Sequence, residues 1–200
     1  MDEKIRCWDG PPIFIDYHDH EWGRPVHNDA KLFEMLTLES MQSGLSWITV
    51  LNKREAFREA FDGFDPRKVS LYNDAKFQEL MANEKIIRNR LKIGAAINNA
   101  GCLLEVVEEY GSFDKFIWKY VDYTPIMGRL QNEGWVSKTA LSDRISKDLK
   151  KMGFRFVGST TVYSFMQATG IVNDHIPECY IYKEMMNEAS HNGRKEGIES

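Results

Sequence analysis

The sequence predicts an all-α fold, and three observations carry that prediction. Apolar residues recur near a period of 3.6, as in Ile86, Ile87, Leu91, Ile93, Ala96, Ile97, Ala100 and Leu104. The periodic segments open on Asn, Asp or Ser and several close on Gly, which is how capped helices read. No run reads convincingly as a strand, and no internal repeat is present. With 200 residues, 42% of them hydrophobic and 12% aromatic, the chain can bury a sizeable core.

Taken in order, residues 5 to 25 lack clean periodicity and read as a loop-rich segment broken at Pro11-Pro12. It is dense in polar and aromatic side chains over Tyr17-His18-Asp19-His20-Glu21-Trp22-Gly23. Asn28 or Asp29 caps a helix that runs to about Ser43. A break follows at Ser43-Gly44-Leu45. Ser46 caps the next helix, in which Trp47, Val50, Leu51, Arg54, Phe57 and Phe61 keep helical spacing up to Gly63. Asp65-Pro66 starts a short turn, and Asn73 or Asp74 caps a helix holding Phe77, Leu80 and Met81. Lys85 to Val107 reads as one long helix, with Cys102 as a small core residue. Gly111-Ser112 leads into a helix with Phe113, Phe116, Ile117 and Tyr120. Asp122 to Lys138 is a loop with Pro125, Gly128 and Gly134. A helix from Ser142 to Met152 turns Ile145, Leu149 and Met152 inward and its lysines outward, and Gly153 stops it. After a tight turn over residues 154–160, a last helix runs to Gly170 with Val162, Phe165, Met166 and Thr169 on one side. Residues 1–182 read as one helical domain and 183–200 as a polar tail without an apolar stripe, expected to be flexible.

No apolar run is long enough to span a membrane. The start, MDEKIRCWDG, has no secretory pattern. Three cysteines in a chain of this kind point to metal binding or free thiols rather than a disulfide framework, and a cytoplasmic monomer is expected. The net charge of −4 gives no global footprint for nucleic acid, leaving only local basic clusters. One cluster is Lys85, Arg88, Arg90 and Lys92; the other is Lys147, Lys150, Lys151 and Arg155. A solvated helix face is the commoner meaning of either.

Three constellations could carry chemistry. First, Leu32, Leu36, Glu39 and Ser43 fall at i, i+4, i+7 and i+11, so Glu39 projects from an apolar stripe. A carboxylate there must be paired, neutralised or kept for chemistry. Tyr17, Trp22 and Trp47, with Trp8, supply aromatic surface of the kind a flipped base stacks on, at roughly 1–3 kcal/mol per base. Such residues are otherwise ordinary core. Second, residues from about 142 to 170 form a helix-hairpin-helix pattern. Its Val157-Gly158 step and the hydroxyl residues Ser159 and Thr160 open a helix whose N-terminal N–H groups favour an anion. Lys150, Lys151 and Arg155 add positive charge, and such a contact to a DNA phosphate is independent of sequence. The alternative is a plain helical hairpin. Third, Cys7 and His18 near one end, with His175 and Cys179 in an H-x3-C spacing near the other, make a Cys2His2 set of the kind zinc holds. Two unrelated free cysteines with surface histidines would look the same, and His20, His27 and His191 are spare.

Together these residues resemble the bacterial 3-methyladenine DNA glycosylase I family. The resemblance rests on YHDHEWG at 17–23, LFEMLTLESMQSGLSWITVL at 32–51, Ile86-Ile87-Arg88-Asn89-Arg90, GFRFVGSTTVYSFMQATGIVNDH at 153–175 and the H-x3-C ending at Cys179. It covers about residues 6 to 180. It implies an all-α helix-hairpin-helix glycosylase fold with a zinc site tying the N- and C-terminal segments, and one structural Zn2+. It implies double-stranded alkylated DNA as partner, with hydrolytic release of 3-methyladenine that leaves an abasic site. Carried over by position, Glu39 hydrogen-bonds the base edge as the catalytic carboxylate. Tyr17 and Trp47 stack on the base, and Trp22 lines the pocket. Cys7, His18, His175 and Cys179 hold the zinc. Leu45, beside Gly44, fills the gap left by the flipped nucleotide. Phe156 stands where the general hairpin motif has glycine, which the family also tolerates. Lysine-using glycosylases of the wider hairpin class carry their nucleophile just after the hairpin glycine, where this chain has Ser159 and Thr160. A monofunctional enzyme without lyase activity is therefore expected. A zinc-stapled, non-catalytic DNA-binding module is the rival reading.

Overall fold

A computed structural model describes residues 4–127 and 134–186. Among them the architecture is helical, and the only extended pairing is an isolated parallel bridge between Ile126 and Val172. The centre is α2 (Asp29–Gln42), capped by the Asn28 side chain accepting from the Lys31 N–H. Every residue from Leu32 to Met41 is buried. The neighbours around α2 are α3 (Trp47–Leu51), α7 (Arg90–Tyr110), α8 (Phe113–Trp118) and α10 (Ser159–Ala168). Before α7 lie α4 (Arg54–Ala60), α5 (Pro66–Val69) and α6 (Asp74–Ala82). No helix among the described residues is long and apolar enough to cross a membrane.

Three expectations change. Residues 12–20 are not loop but α1 (Pro12–His20). Pro12 sits at its first position, where a missing N–H costs nothing, so the Pro-Pro step starts a helix rather than breaking one. The segment after Ser46 is two helices, with a turn at Asn52-Lys53 between α3 and α4. The long helix begins at Arg90 rather than Lys85, because Asn89 accepts from the N–H groups of Leu91 and Lys92 and so caps it there. Residues 84 and 85 instead offer their carbonyls to the Lys53 ammonium at 3.2 and 3.0 Å.

The hairpin is α9 (Ala140–Lys151) followed by α10. A capping box opens α9: Thr139 accepts from the Ser142 N–H while Ser142 Oγ accepts from the Thr139 N–H. Ser146 Oγ donates to the Val157 carbonyl at 2.6 Å, and Ser142 and Ser159 hydroxyls meet at 2.8 Å, so the two helices are bonded across the turn. Residues 180–186 are helical, extending order past the expected start of the tail. The rest of that tail, residues 187–200, and residues 128–133 of the predicted loop lie outside the described residues, as does His191.

Candidate active site

Two buried carboxylates on α2 have opposite surroundings. Glu34 is 5% exposed and receives Arg54 Nε at 2.6 Å, with Arg58 and Lys31 also within salt-bridge distance. Burial pushes Glu34 up, but these three cations outweigh it and hold the group below the usual carboxylate range. Glu39, five residues on, is 6% exposed and makes no hydrogen bond or ion pair with another described residue. Burial alone raises it to about 8. The sequence reading of Glu39 as an anomaly on a stripe was incomplete, since α2 is buried all round. What distinguishes Glu39 is that nothing neutralises it.

Glu39 lines a cavity of about 150 Å³ with Trp8, Phe14, Tyr17, Trp22, Gln42, Trp47, Ser164 and Gln167. A cavity of about this size accepts a single aromatic ring the size of benzene. This one is open on one side, so a larger planar base can project from it. Each wall follows from local structure. Glu39 and Gln42 stand three residues apart on α2, Phe14 and Tyr17 three apart on α1, Ser164 and Gln167 three apart on α10. The Tyr17 and Trp47 rings lie 5.4 Å apart at 54°. Burial, with Glu39 adding to it, holds the Tyr17 phenol protonated well beyond its ordinary range. The indole N–H groups of Trp8 and Trp47 are buried without a hydrogen-bond partner. Both residues line the cavity, and neither donor finds an acceptor among the described residues. Gln167 donates to Asp174 at 2.7 Å, an arrangement that fixes its amide.

Behind the Trp8 and Trp22 walls sits a second group. Cys7, His18, His175 and Cys179 bring four donor atoms within 4.8 Å of one another. Cys7 Sγ is 3.2 Å from His175 Nδ1, and Cys179 Sγ is 3.5 Å from that atom and 3.6 Å from His18 Nε2. A tetrahedral zinc with N ligands at about 2.0 Å and S ligands at about 2.3 Å has ligand–ligand edges of roughly 3.3–3.8 Å. The remaining ring nitrogens are engaged as metal-bound histidines require: His18 Nδ1 meets Asp19 Oδ1 at 2.9 Å and His175 Nε2 meets the Trp22 carbonyl at 3.0 Å. Arg6 in turn clasps Asp19 with bonds of 2.8 Å. The donor set fits a metal ion that ties the N-terminal segment to the segment after α10. The spare histidine His20 is exposed and pairs with Asp16 instead.

The group also supports the cavity. Cys7 precedes Trp8 and His18 follows Tyr17, so two ligand positions adjoin two wall positions. Trp8 packs on His18 at 4.7 Å and on Trp22 at 4.6 Å, and Trp22 packs on His175 at 4.5 Å. Gly23 is needed beside them, because a Cβ there would come within 2.9 Å of the His175 ring.

The remaining candidates lie at the surface. Leu45 is 42% exposed just after Gly44, whose φ of 82° puts the chain in the left-handed region glycine favours. Gly158 is the N-cap position of α10, and no side chain caps that helix. Ser159 is partly buried against Ser142, Thr160 is exposed, Arg155 is exposed, and Lys151 is exposed with its ammonium 3.3 Å from Asp148. Lys147, Lys150 and Lys151 share a shallow depression with Asp143, Ser146 and Ser159. Phe156 adopts a φ of 56°, the left-handed conformation that the glycine of the general motif provides. Its carbonyl accepts from Ser40 Oγ at 3.1 Å, bonding the turn to the helix that carries Glu39. One basic cluster did not meet the solvated-face expectation, because Lys92 is only 7% exposed.

Sequence reasoning set Trp8 beside the aromatic group without giving it a role, and did not assign Phe14, Gln42, Ser164 or Gln167 to the cavity. Phe14 was hidden by the missed α1. Gln42 was signalled by its i+3 spacing from Glu39. Ser164 and Gln167 lie opposite the apolar side of α10 and read there as solvent-facing.

A family model described as methyladenine glycosylase matches residues 8–182. The chain is 46% identical over 177 residues to a DNA-3-methyladenine glycosylase of Haemophilus influenzae, covering 87% of this chain and 96% of the relative. It is 46% identical over 172 residues to DNA-3-methyladenine glycosylase 1 of Escherichia coli K12, covering 86% and 92%. Among solved structures, a variant of 3-methyladenine DNA glycosylase I in complex with 3-methyladenine superposes with a TM-score of 0.80 at 37% identity. That match covers 86% of this chain and 93% of the other.

Proposed function

The chain belongs to the methyladenine glycosylase family, and from that premise we propose that it excises 3-methyladenine from alkylated double-stranded DNA by hydrolysis, initiating base-excision repair. The observation that carries this reading is Glu39: a buried carboxylate without a cation, at the wall of an aromatic cavity. The N3-methylated adenine nucleotide bears positive charge on the base, so its glycosidic bond is already weak and the leaving group needs no proton. It needs a cage that prefers the cation and holds the base in place.

Glu39 supplies that preference. Ionising it at pH 7 without a cation costs on the order of 1 kcal/mol, since it sits at about 8. A unit positive charge about 4 Å away returns about 4 kcal/mol at an effective dielectric of 20. Attraction exceeds cost, so the lesion ionises the group that receives it, whereas a neutral adenine offers no such return. Tyr17 and Trp47 stack on the base, Trp22 closes the cavity, and the free N–H groups of Trp8 and Trp47 meet its ring acceptors. Extruding a nucleotide costs a few kcal/mol, least for a damaged base. Stacking and Leu45 in the vacated gap offset that cost. The uncapped start of α10 at Gly158, Ser159 and Thr160, with Lys151 and Arg155, grips the phosphate backbone. Cys7, His18, His175 and Cys179 would hold Zn2+, which serves structure by fixing the two chain segments behind the cavity. The unit acts as a monomer whose domain runs from residue 1 past the expected boundary at 182, since the helix over 180–186 carries the buried Met185, and the polar tail follows it.

Incubation with methylated duplex DNA tests the reading: free 3-methyladenine is released and abasic sites accumulate. No lysine among the described residues lines the cavity, so borohydride is expected to trap no protein–DNA adduct. Absence of release by folded, metal-replete protein would favour the DNA-binding module instead.

Gly158→Ala separates DNA grip from fold. A Cβ at Gly158 meets nothing within 4 Å, and the backbone there does not require glycine. The expected change in stability is small, within about 1 kcal/mol, because the reduced freedom of the unfolded chain opposes alanine's poorer fit at an N-cap. Duplex affinity falls, because the methyl group stands where a phosphate approaches the helix start. Melting temperature and a DNA titration measured together check both halves.

A further inference from the structure

We propose that Lys92 is a positioning residue for base extrusion, holding the Gly44–Leu45 projection at a fixed place relative to the hairpin. The inference rests on the reading of Leu45 as the side chain that fills the vacated gap. Lys92 lies in the first turn of α7, and its ammonium crosses to the end of α2. It donates to the Met41 carbonyl at 2.9 Å and to the Ser43 carbonyl at 2.5 Å. These are unsatisfied carbonyls of a helix C-terminus, where a cation is also favoured by the helix dipole. Gln42 of the cavity lies between them, and Gly44 follows directly.

Seven residues on, the same face of α7 holds the hairpin. Asn99 Nδ2 donates to the Arg155 carbonyl at 2.9 Å and Asn99 Oδ1 accepts from the Arg155 N–H at 2.8 Å. Asn98 adds a bond to the Gly153 carbonyl at 2.9 Å. Two turns of helix, about 10 Å, therefore separate the point that holds the Leu45 turn from the point that holds the phosphate grip. Gly44 itself gives no rigidity, since it is exposed and a Cβ there would meet nothing within 4 Å. Without Lys92 the turn keeps the Leu45 N–H bond to the Gln42 carbonyl at 2.6 Å but loses the two bonds that tie it to α7.

Lys92→Met keeps the length and apolar packing of the stem and removes the donors. Excision of 3-methyladenine from duplex DNA is expected to fall about ten- to a hundredfold, the cost of a misplacement of about 1 Å. Affinity for free 3-methyladenine stays within about twofold, the scatter for independent sites. In a Leu45→Ala background the same substitution adds less than about twofold, because the two act through one element. Lys92→Gln, which can still bond one carbonyl, falls between wild type and Lys92→Met and serves if the methionine variant does not fold. Normal excision by Lys92→Met overturns the proposal. So does loss of free-base affinity in parallel with excision, or a full further loss on top of Leu45→Ala. Failure of the wild-type protein to release 3-methyladenine would instead sink the underlying function.

Discussion

Glu39→Gln is expected to lower excision of 3-methyladenine by about 10²–10³-fold, the usual loss when one preorganised electrostatic partner is removed, without harming the fold. The amide keeps the shape and one acceptor, but it cannot become an anion when a cationic base arrives. The stability effect has a definite sign. Glu39 titrates at about 8 in the folded protein against an ordinary 4.5, with burial as the cause. Between those values the folded state binds more protons than the unfolded state, so this group makes stability fall as pH rises through that window. Glutamine has no such penalty. The variant should melt together with the wild type at or below pH 4.5 and above it at pH 9, by a shift of about 2–4 °C for each kcal/mol removed. Thermal melts at several pH values, paired with single-turnover excision, measure both. A variant less stable than wild type at pH 9 would mean that Glu39 is structural.

Cys179→Ser should cost more in stability than any other single change discussed, because Cys179 is fully buried and its sulfur meets both His18 and His175. Hydrogen bonding by Cys7, then His175 and His18, draws its thiol down, so the sulfur is ready to ligate as a thiolate. A serine hydroxyl is a poor substitute. The wild-type protein is expected to hold one equivalent of zinc by elemental analysis and the variant almost none. Loss of a structural metal belongs to the changes that exceed about 4 kcal/mol, and the melting temperature should fall by roughly 10 °C. Affinity for 3-methyladenine should fall with it, since the Trp8, Tyr17 and Trp22 walls adjoin or pack on the ligand positions. Prolonged chelation of the wild type should reproduce the effect. Full base affinity in metal-free protein would show that the cavity does not depend on the ion.

How much of this was legible in the chain depended on the range of the interaction. Cap signals were mostly legible: Asn28, Asn73 and Ser112 cap helices where their side chains reach the first free N–H groups, whereas Ser46 holds the N-cap position of α3 but its hydroxyl meets the Thr49 hydroxyl instead. The two halves of the Cys2His2 set were visible as spacings, although His18 and His175 stand 157 positions apart in the chain, and only the fold brings the four sulfur and nitrogen atoms within 4.8 Å. Long-range electrostatics was not legible. Spacing put Glu39 on an apolar stripe, but nothing in the sequence showed that Glu34 would be quenched by Arg54 while Glu39 was left without a cation. Nor does a lysine in a basic run announce that it will bury itself against a helix end, as Lys92 does. The α1 helix escaped because its residues face three different things: Phe14 and Tyr17 the cavity, His18 the metal cluster, Asp16 and His20 the solvent. A helix divided in that way has no single apolar stripe to detect.

The central claim is that Glu39 acts as an anion on a cationic base, and the pH dependence of kcat/KM on alkylated duplex DNA tests it most directly. That ratio reports the titration of the free enzyme, and the group in question sits at about 8. For the wild type, kcat/KM should rise about tenfold per pH unit below 8 and level off above it. In Glu39→Gln the profile should be low and flat over the same range. A wild-type profile already flat from pH 6 to 9, or the same rise surviving in Glu39→Gln, would contradict the account.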